Sequence, residues 1–324
     1  MKRLISLLLC ALLIVPALAE DAPDFEPIPW DIKVSPNLPN PDCYLPNNGG
    51  YHDDSIDIQI NVTYWTQDLQ QVDAPGEGTT TVMSARVKLT DVSQFRTGFA
   101  NKYPSKQARH VNDMTKRFKA VMGIDGDYCL YHEQGIVVRN GQTLRMRPHK
   151  GRDELIVDEN GDFHLITCTT QAKWDEYIAG GGTVLHAFCF GPALVVDGVP
   201  LTSLDDVTID NGKAKKAQRM VIGQVGKLEY LILTNEGPES TAPKSVGFDL
   251  VQMANLCVQF GLDNAYNLDG GSSSTIALNN QKINSPSSHK NRMVGDCIWF
   301  ATLVKEETWR EQESVQTVEV EENK

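Results

Sequence analysis

The 324-residue chain has 42 acidic and 30 basic side chains and a formal net charge of −12 at pH 7. This balance argues against a nucleic-acid partner, because nucleic acids favour a basic protein surface. Hydrophobic residues make up 41% of the chain, which is enough for one large domain or two small ones with a substantial core.

The N-terminus has the features of a secretory signal peptide. Met1-Lys2-Arg3 is basic, residues 4–15 are apolar, and Ala17-Leu18-Ala19 fits a signal-peptidase site. We predict residues 1–19 as the signal peptide, with cleavage near Ala19, and a secreted or extracytoplasmic protein. The apolar run is too short to span a bilayer comfortably and no later run is longer, so we expect no membrane span.

Composition divides the remaining chain into three parts. Residues 20–54 are rich in Pro, Asn and Asp and predict an arm or linker. Residues 55–305 form the predicted domain, and residues 306–324 form an acidic tail. Six cysteines follow the signal peptide, and they permit either disulfides, with Cys168–Cys189 and Cys257–Cys297 as candidate pairs, or buried free thiols. The oligomeric state stays undefined at this level.

Strand-like segments separated by turn residues outnumber helical ones within the domain. Predicted strands, in chain order, cover residues 56–62, 80–89, 135–138, 155–157, 163–166, 184–190, 193–196, 219–223, 227–234, 265–268, 276–278 and 297–304. Apolar residues at helical spacing predict helices over 110–122 and 250–260. Most strand pairs are local hairpins, which favours a single α+β domain with a mixed, largely antiparallel sheet covered by a few helices.

Two glycine-containing turns at strand ends carry carboxylates. The first, Asp125-Gly126-Asp127, follows an apolar segment, and the second is Asp269-Gly270-Gly271 followed by the hydroxyl residues 272–275. Glycines let a backbone approach a ligand closely, and hydroxyls supply donors. The same residues also fit ordinary solvated turns, so local composition alone leaves both interpretations open.

Five motifs in chain order resemble those of the phosphodiester glycosidase family, over about residues 55–305. They are Ile124-Asp125-Gly126-Asp127-Tyr128, Phe190-Gly191-Pro192-Ala193-Leu194, Arg219-Met220-Val221-Ile222-Gly223, Asn267-Leu268-Asp269-Gly270-Gly271, and Asn284-Ser285-Pro286 followed by Arg292. The chain departs from the family pattern at four places: Asp125 replaces Asn, Met220 replaces Thr, Ser272 replaces Gly, and Glu236-Gly237-Pro238 replaces Asp-Gly-Arg.

The resemblance implies a hydrolase that cleaves sugar-1-phosphodiester bonds of a GlcNAc-1-phospho-glycan or exopolysaccharide. The products are the free sugar and a phosphomonoester. It makes Asp269 our first candidate for the nucleophile or general base, with Glu236 second, and assigns Arg219 to the phosphate. A structural ion pair for Arg219 and a solvated hairpin end for Glu236 stay open.

The resemblance also implies a set of substrate-binding residues and no required cofactor. The set comprises Asp125, Asp127, Gly191, Asn267, Gly270, Gly271, Ser273, Ser274 and Arg292. The backbone N–H groups of Gly270 and Gly271 are expected to cradle the phosphate. Asp125 and Asp127 also offer the oxygen ligands that a divalent cation such as Ca²⁺ prefers.

Two readings from other classes compete with the enzyme. The alternative function is a non-catalytic secreted glycan-binding module of the same fold, in which replacing Asp269 would weaken glycan binding with no turnover to lose. A cell-envelope structural protein would instead depend on the N-terminal arm. Ordered motifs rich in polar groups favour the enzyme.

Overall fold

The computed structural model describes residue 35 and residues 37–205, 215–238, 240, 244–284 and 291–310. The predicted signal peptide lies outside the described residues, as does the predicted acidic tail beyond residue 310. In the part of the chain that is described, no helix is long and apolar enough to cross a membrane.

Short strands make up most of the regular structure. In chain order they are β1 (Tyr44–Leu45), β2 (Gly50–His52), β3 (Ile56–Trp65), β4 (Gln71–Val72), β5 (Thr80–Leu89), β6 (Phe95–Phe99), β7 (Met122–Asp125), β8 (Gly135–Arg139), β9 (Gln142–Arg147), β10 (Glu154–Val157), β11 (Phe163–Ile166), β12 (His186–Phe188), β13 (Ala193–Val196), β14 (Val199–Pro200), β15 (Arg219–Gly226), β16 (Glu229–Asn235), β17 (Asn264–Asn267), β18 (Ile276–Leu278), β19 (Gln281–Lys282) and β20 (Asp296–Phe300). The helices are α1 (Val111–Phe118), α2 (Gln171–Ala179) and α3 (Leu250–Gln259).

The strands form three antiparallel sheets, whereas we predicted a single mixed, largely antiparallel sheet. The α+β class is confirmed. The large sheet has the order β1-β2-β3-β5-β16-β15-β17-β13-β14, with β4 paired to β3. The two smaller sheets have the orders β11-β10-β12-β8-β9 and β19-β18-β7-β20-β6. Residues 44–52, which composition placed in the arm, form β1 and β2 and extend the large sheet.

All three sheets contribute to one central hydrophobic core. Ile232 of the large sheet, Phe188 of the second and Ile298 of the third are fully buried in the same cluster. Successive side chains of a strand point to opposite faces of the sheet, so the neighbours of Ile232 lie on the opposite face of the large sheet. On that face, Val221 and Leu233 pack with Met253 of α3 in a second cluster.

Helix α1 is shorter than the predicted 110–122 helix. It ends at Phe118 because Lys119 adopts a left-handed conformation, with φ 54°, and its N–H bonds back to the last turn. The Val121 N–H then donates to the Phe300 carbonyl, and Met122 begins β7. The apolar residues after Lys119 therefore fill a strand between two others rather than a last helical turn.

The six described cysteines are free thiols, so the two candidate disulfides do not form. Cys257 lies on the buried face of α3, in the cluster between that helix and the large sheet, whereas Cys297 packs in a separate cluster beside α1. Cys168 is exposed and Cys189 is buried, which places that pair in different surroundings as well.

Candidate active site

Strand ends from all three sheets meet at the predicted site. Asp125 is the last residue of β7, and Asp296, the first residue of β20, lies one position along in the antiparallel register. Cys189 directly follows β12, and the Asp269 loop follows β17. The structure therefore brings together the first, second and fourth sequence motifs, which are far apart along the chain.

Gly126 allows the two acidic segments to touch. A Cβ atom at this position would lie 2.2 Å from Oδ2 and 2.4 Å from Cγ of Asp296. The Gly126 N–H donates to the Asp296 carbonyl at 3.1 Å, and the Gly126 carbonyl accepts from the Asp269 N–H at 3.1 Å. Glycine is required here for close approach, and its backbone links the three aspartate-bearing loops.

A buried arginine lies between two of the aspartates. Nη2 of Arg139 is 2.7 Å from Oδ1 of Asp127 and 3.2 Å from Oδ2 of Asp296. Burial acts to raise the pKa of Asp127, but Arg139 and the Cys189 N–H outweigh burial and hold it well below the ordinary value. Burial and the charge of Asp127 raise the pKa of Asp296. Asp127 is therefore the charged partner of Arg139, and the proton is favoured on Asp296.

These residues do not fit a divalent cation. Ligand atoms of Asp127, Cys129 and Asp296 lie within 4.8 Å of one another. The Arg139 guanidinium, however, contacts all three, with Nη2 3.7 Å from the Cys129 sulfur. Asp127 Oδ1 also accepts from the Cys129 N–H, and Oδ2 accepts from the Cys189 N–H at 2.8 Å. A fixed positive charge thus occupies the position that a cation needs.

The two remaining aspartates of the site, Asp125 and Asp269, are close enough for the negative charge of one to affect the pKa of the other. Burial and then the charge of Asp269 raise the pKa of Asp125 well above its ordinary value. Oδ1 of Asp125 accepts from the Thr275 N–H at 2.8 Å, while Oδ2 is buried without a partner among the described residues. Burial and the neighbouring charge therefore favour the protonated form of the Asp125 carboxyl, which the Thr275 N–H ties to the segment after the glycine loop.

Asp269 is closer to the surface, with 8% of its area exposed. Burial raises its pKa, while the Ser273 hydroxyl, the positive charge of Arg292 and the Gly270 N–H act in the opposite direction. Ser274 and Thr275 carry buried hydroxyl oxygens that have no partner among the described residues. Unpaired buried polar groups are unfavourable, so this group of atoms has unused hydrogen-bonding capacity directed at a ligand or water.

The glycine loop itself is held by internal bonds. The Gly270 N–H donates to Oδ1 of Asp269 at 2.9 Å, and the Gly271 N–H donates to the Gln218 carbonyl at 3.1 Å. The backbone N–H groups expected to cradle a phosphate are therefore engaged within the protein. The side-chain amide of Asn267 donates to the Gly191 carbonyl at 2.8 Å, which ties the loop to the Phe190-Gly191-Pro192 segment.

The described side-chain contacts of Arg219 run towards α3, although its Cα would lie 3.9 Å from a Cβ placed at Gly270 of the glycine loop. Arg219 Nη2 donates to the Lys215 carbonyl at 2.6 Å and Nε to the Phe248 carbonyl at 3.4 Å. Burial lowers its pKa to about 10, with Asp249 at the start of α3 acting against it. The structure thus places this guanidinium towards α3.

Glu236 directly follows β16 and lies near Lys282. Burial lowers the pKa of Lys282 to about 8, while the negative charge of Glu236 raises it, as expected for a neighbouring carboxylate. Its described backbone bonds run to Thr81 and Asn235, on the large sheet. No described contact joins Glu236 to Asp269.

Arg292 lies at the opening of the site. It is exposed, its guanidinium carbon is 5.4 Å from the ring centre of Tyr128, and its charge acts on Asp269. The exposed Arg292 therefore supplies positive charge beside Asp269.

A model of the phosphodiester glycosidase family matches residues 118–301, more than half of the chain. The chain belongs to the phosphodiester glycosidase family. The match begins at the last residue of α1 and ends one residue after β20, so it includes every residue of the site described above. The sequence-based identification is confirmed.

Solved structures share the fold at low sequence identity. One is the catalytic domain of zebrafish N-acetylglucosamine-1-phosphodiester α-N-acetylglucosaminidase, auto-inhibited by its pro-peptide, with a TM-score of 0.58, 14% identity, and coverage of 78% of this chain and 86% of that chain. Another is a hypothetical protein from Synechocystis, with a TM-score of 0.50, 13% identity, and coverage of 76% and 62%. No curated protein gave a significant sequence match.

Two central residues, Arg139 and Asp296, were missed by sequence reasoning. Arg139 reads as the end of a hairpin strand, and Asp296 reads as the polar residue before an apolar strand. They are separated by 157 positions and lie on β8 and β20, strands of two different sheets that meet only in the folded protein. A charged residue directly before a buried strand was the one available signal.

Proposed function

We propose that this protein hydrolyses sugar-1-phosphodiesters, releasing the sugar and leaving a phosphomonoester. The observation that carries the proposal is the position of Asp269, which is the more exposed member of a buried acidic cluster and lies near Asp125, Arg292 and the hydroxyls of the glycine loop. Family membership supports the reaction class. The zebrafish enzyme named above acts on the same type of bond.

The chemistry asks for a base or nucleophile more than for a strong acid. A phosphate monoester leaves more readily than an alkoxide, so the main demands are attack at the anomeric carbon and stabilisation of charge. Burial raises the pKa of Asp269, which makes it a stronger base than a solvated aspartate, while Arg292 keeps the charged form accessible. We assign Asp269 as the nucleophile or general base on this ground.

Asp125 then acts from beneath Asp269. Two neighbouring carboxylates repel each other, so the two groups tend to ionise at different pH values. Here burial favours keeping the proton on Asp125, the fully buried one. A neutral Asp125 leaves the negative charge on Asp269, where it faces the substrate. The Thr275 N–H fixes the Asp125 carboxyl, so we assign it a positioning role.

The remaining binding groups are side chains of the glycine loop and its neighbours. We propose that Ser274 and Asn267 bind sugar hydroxyls, since each carries a buried oxygen without a partner among the described residues, and that Ser273 supports the Asp269 carboxylate beside them. Gly270 shapes the loop by close approach, since a Cβ there would lie 3.0 Å from the Gln218 carbonyl oxygen, and Gly191 contributes through its positive φ of 71°. Arg219 receives a structural role near α3 in this proposal, and Glu236 stays the second candidate base.

Replacement of Asp269 tests the proposal. Hydrolysis of GlcNAc-1-phospho-methyl-mannoside by the wild type and by Asp269→Asn should differ by about 10²–10⁴-fold, the range for loss of a general base. The matched control is Asp263→Asn, an exposed aspartate six positions earlier, which should keep wild-type turnover. Equal rates for Asp269→Asn would remove Asp269 from the chemistry. Glycan binding by a wild type without turnover on a panel of such diesters would establish the binding module instead.

We propose that the protein acts outside the cytoplasm, because the first 19 residues fit a signal peptide. Protein recovered from the extracytoplasmic fraction should begin at Glu20. An intact N-terminus in the cytoplasmic fraction would contradict export.

A further inference from the structure

Two tyrosines next to the acidic site form a stacked pair. The ring centres of Tyr128 and Tyr131 are 4.5 Å apart with an angle of 28° between the planes. The Tyr131 N–H donates to the Tyr128 carbonyl at 3.1 Å, so a single turn of the chain carries both rings. Cys129 and Leu130, between them, are buried, while both tyrosines are half-buried. The turn thus places both rings next to the acidic site, where the charge of Asp269 acts on Tyr131.

The backbone of this turn is held in an unusual conformation. Tyr128 has φ 59°, a left-handed value that is unfavourable for a residue with a side chain. Such strain persists where the surroundings over-determine the backbone. Asp127, the preceding residue, is fixed by Arg139, and on the other side a Cβ at Gly295 would lie 2.6 Å from Leu130 Cδ1. The tyrosine pair is therefore a rigid feature.

Arg292 lies against this pair and next to Asp269. Its guanidinium carbon is 5.4 Å from the Tyr128 ring centre, within the range of a cation–π contact. The Arg292 charge acts on both Tyr131 and Asp269, so the guanidinium lies near the second tyrosine and near the carboxylate as well. A long exposed side chain otherwise has many rotamers, and stacking on a ring restricts them.

We propose that Tyr128 and Tyr131 are positioning residues that hold Arg292 as the phosphate-binding group of the site. The guanidinium, held over the Tyr128 ring, directs its N–H donors to the phosphate of a sugar-1-phosphodiester while Asp269 acts on the adjacent anomeric carbon. This inference rests on the proposed function and adds the residue that binds the phosphate and the residues that orient it. The other candidate, Arg219, donates to carbonyls at Lys215 and Phe248 instead.

Equilibrium binding of product-like ligands tests this without turnover. The probes are N-acetylglucosamine 1-phosphate, inorganic phosphate and neutral N-acetylglucosamine, measured by calorimetry on the full mature chain. Arg292→Ala should weaken both phosphate-containing probes by about 10- to 100-fold, as expected for lost charge-assisted hydrogen bonds. It should leave the neutral sugar unchanged. Tyr128→Leu should weaken the phosphate probes by about two- to fivefold, and Tyr128→Phe should restore wild-type affinity because it keeps the ring.

A double variant separates positioning from direct contact. If Tyr128 acts through Arg292, Tyr128→Leu should have no further effect on affinity in the Arg292→Ala background. Additive losses, or weakened binding of the neutral sugar by Tyr128→Leu, would overturn the positioning role. Wild-type-like phosphate binding by Arg292→Ala, or no phosphate binding by the wild type, would overturn the subsite. Absence of diester hydrolysis with this binding pattern intact would reject the proposed reaction alone.

Discussion

Adding a single methyl group at Gly126 should disrupt the buried acidic site. The new Cβ would lie 2.2 Å from Oδ2 and 2.4 Å from Cγ of Asp296, far inside any real contact. Asp296 is 2% exposed and bonded to Arg139, so its carboxyl group cannot turn into solvent without leaving that arginine. The Gly126 backbone is also held, by hydrogen bonds to Asp296 and Asp269.

The expected loss of stability follows from the way this clash must be relieved. Inserting a methyl group into a packed site destabilises by about 1–3 kcal/mol. When Asp296 moves, Arg139 loses one hydrogen bond but keeps its charged partner Asp127, and losing a hydrogen bond to a charged group costs about 1.5–3 kcal/mol. We therefore expect Gly126→Ala to lower the free energy of unfolding by about 3–4 kcal/mol. Catalytic turnover should fall too, because Gly126 supports Asp269.

Urea unfolding of two variants measures this effect. The control is Gly76→Ala, where an added Cβ meets nothing within 4 Å and φ is not positive, so the free energy should change by less than about 0.5 kcal/mol. A loss below about 1 kcal/mol for Gly126→Ala, with an unchanged m-value, would show that Asp296 does not occupy the described position.

Other variants probe the same buried groups. Arg139→Met should lower the free energy of unfolding by about 3–5 kcal/mol, because Asp127 then stays buried without its partner. The control, Arg86→Met, breaks an ion pair with Glu229 at the surface and should change this free energy by less than about 1 kcal/mol. Similar losses for the two variants in urea unfolding would refute the buried cluster of Arg139, Asp127 and Asp296. Burial raises the pKa of Glu154 well above its ordinary value of 4.5, so the folded state keeps a proton that the unfolded state loses, and this contribution falls as the pH rises above 4.5. The stability of Glu154→Gln relative to the wild type should therefore grow between pH 5 and pH 8, and a constant difference would show that Glu154 is ionised in the fold.

Local rules predicted the elements whose signals are local. The Asn140-Gly141 turn carries φ values of 52° and 74° and joins β8 to β9, as expected for a two-residue hairpin turn with left-handed residues. Strand β5 has the predicted bounds, and α3 begins with an Asp249 capping box that fixes its first turn. In these cases the residues that define an element also lie within it.

Features that depend on distant pairing escaped sequence reasoning. Residues 44–52 read as an irregular arm because Pro and Asn dominate, yet β2 gains its stability by pairing with β3. The choice between Arg219 and Arg292 is of the same kind. Each is a basic residue within a family motif, but the direction of each side chain is set by neighbours far along the chain, Phe248 for one and Tyr128 for the other.

The position of a single oxygen atom tests the central claim most directly. Hydrolysis of GlcNAc-1-phospho-methyl-mannoside in ¹⁸O-labelled water, followed by mass spectrometry of both products, shows which bond to the bridging oxygen breaks. Attack at the anomeric carbon by a water or carboxylate at Asp269 predicts the label on the released N-acetylglucosamine and none on the phosphomonoester, with no product from Asp269→Ala. Label on the phosphate would show cleavage at phosphorus and contradict a glycosidase mechanism at this site.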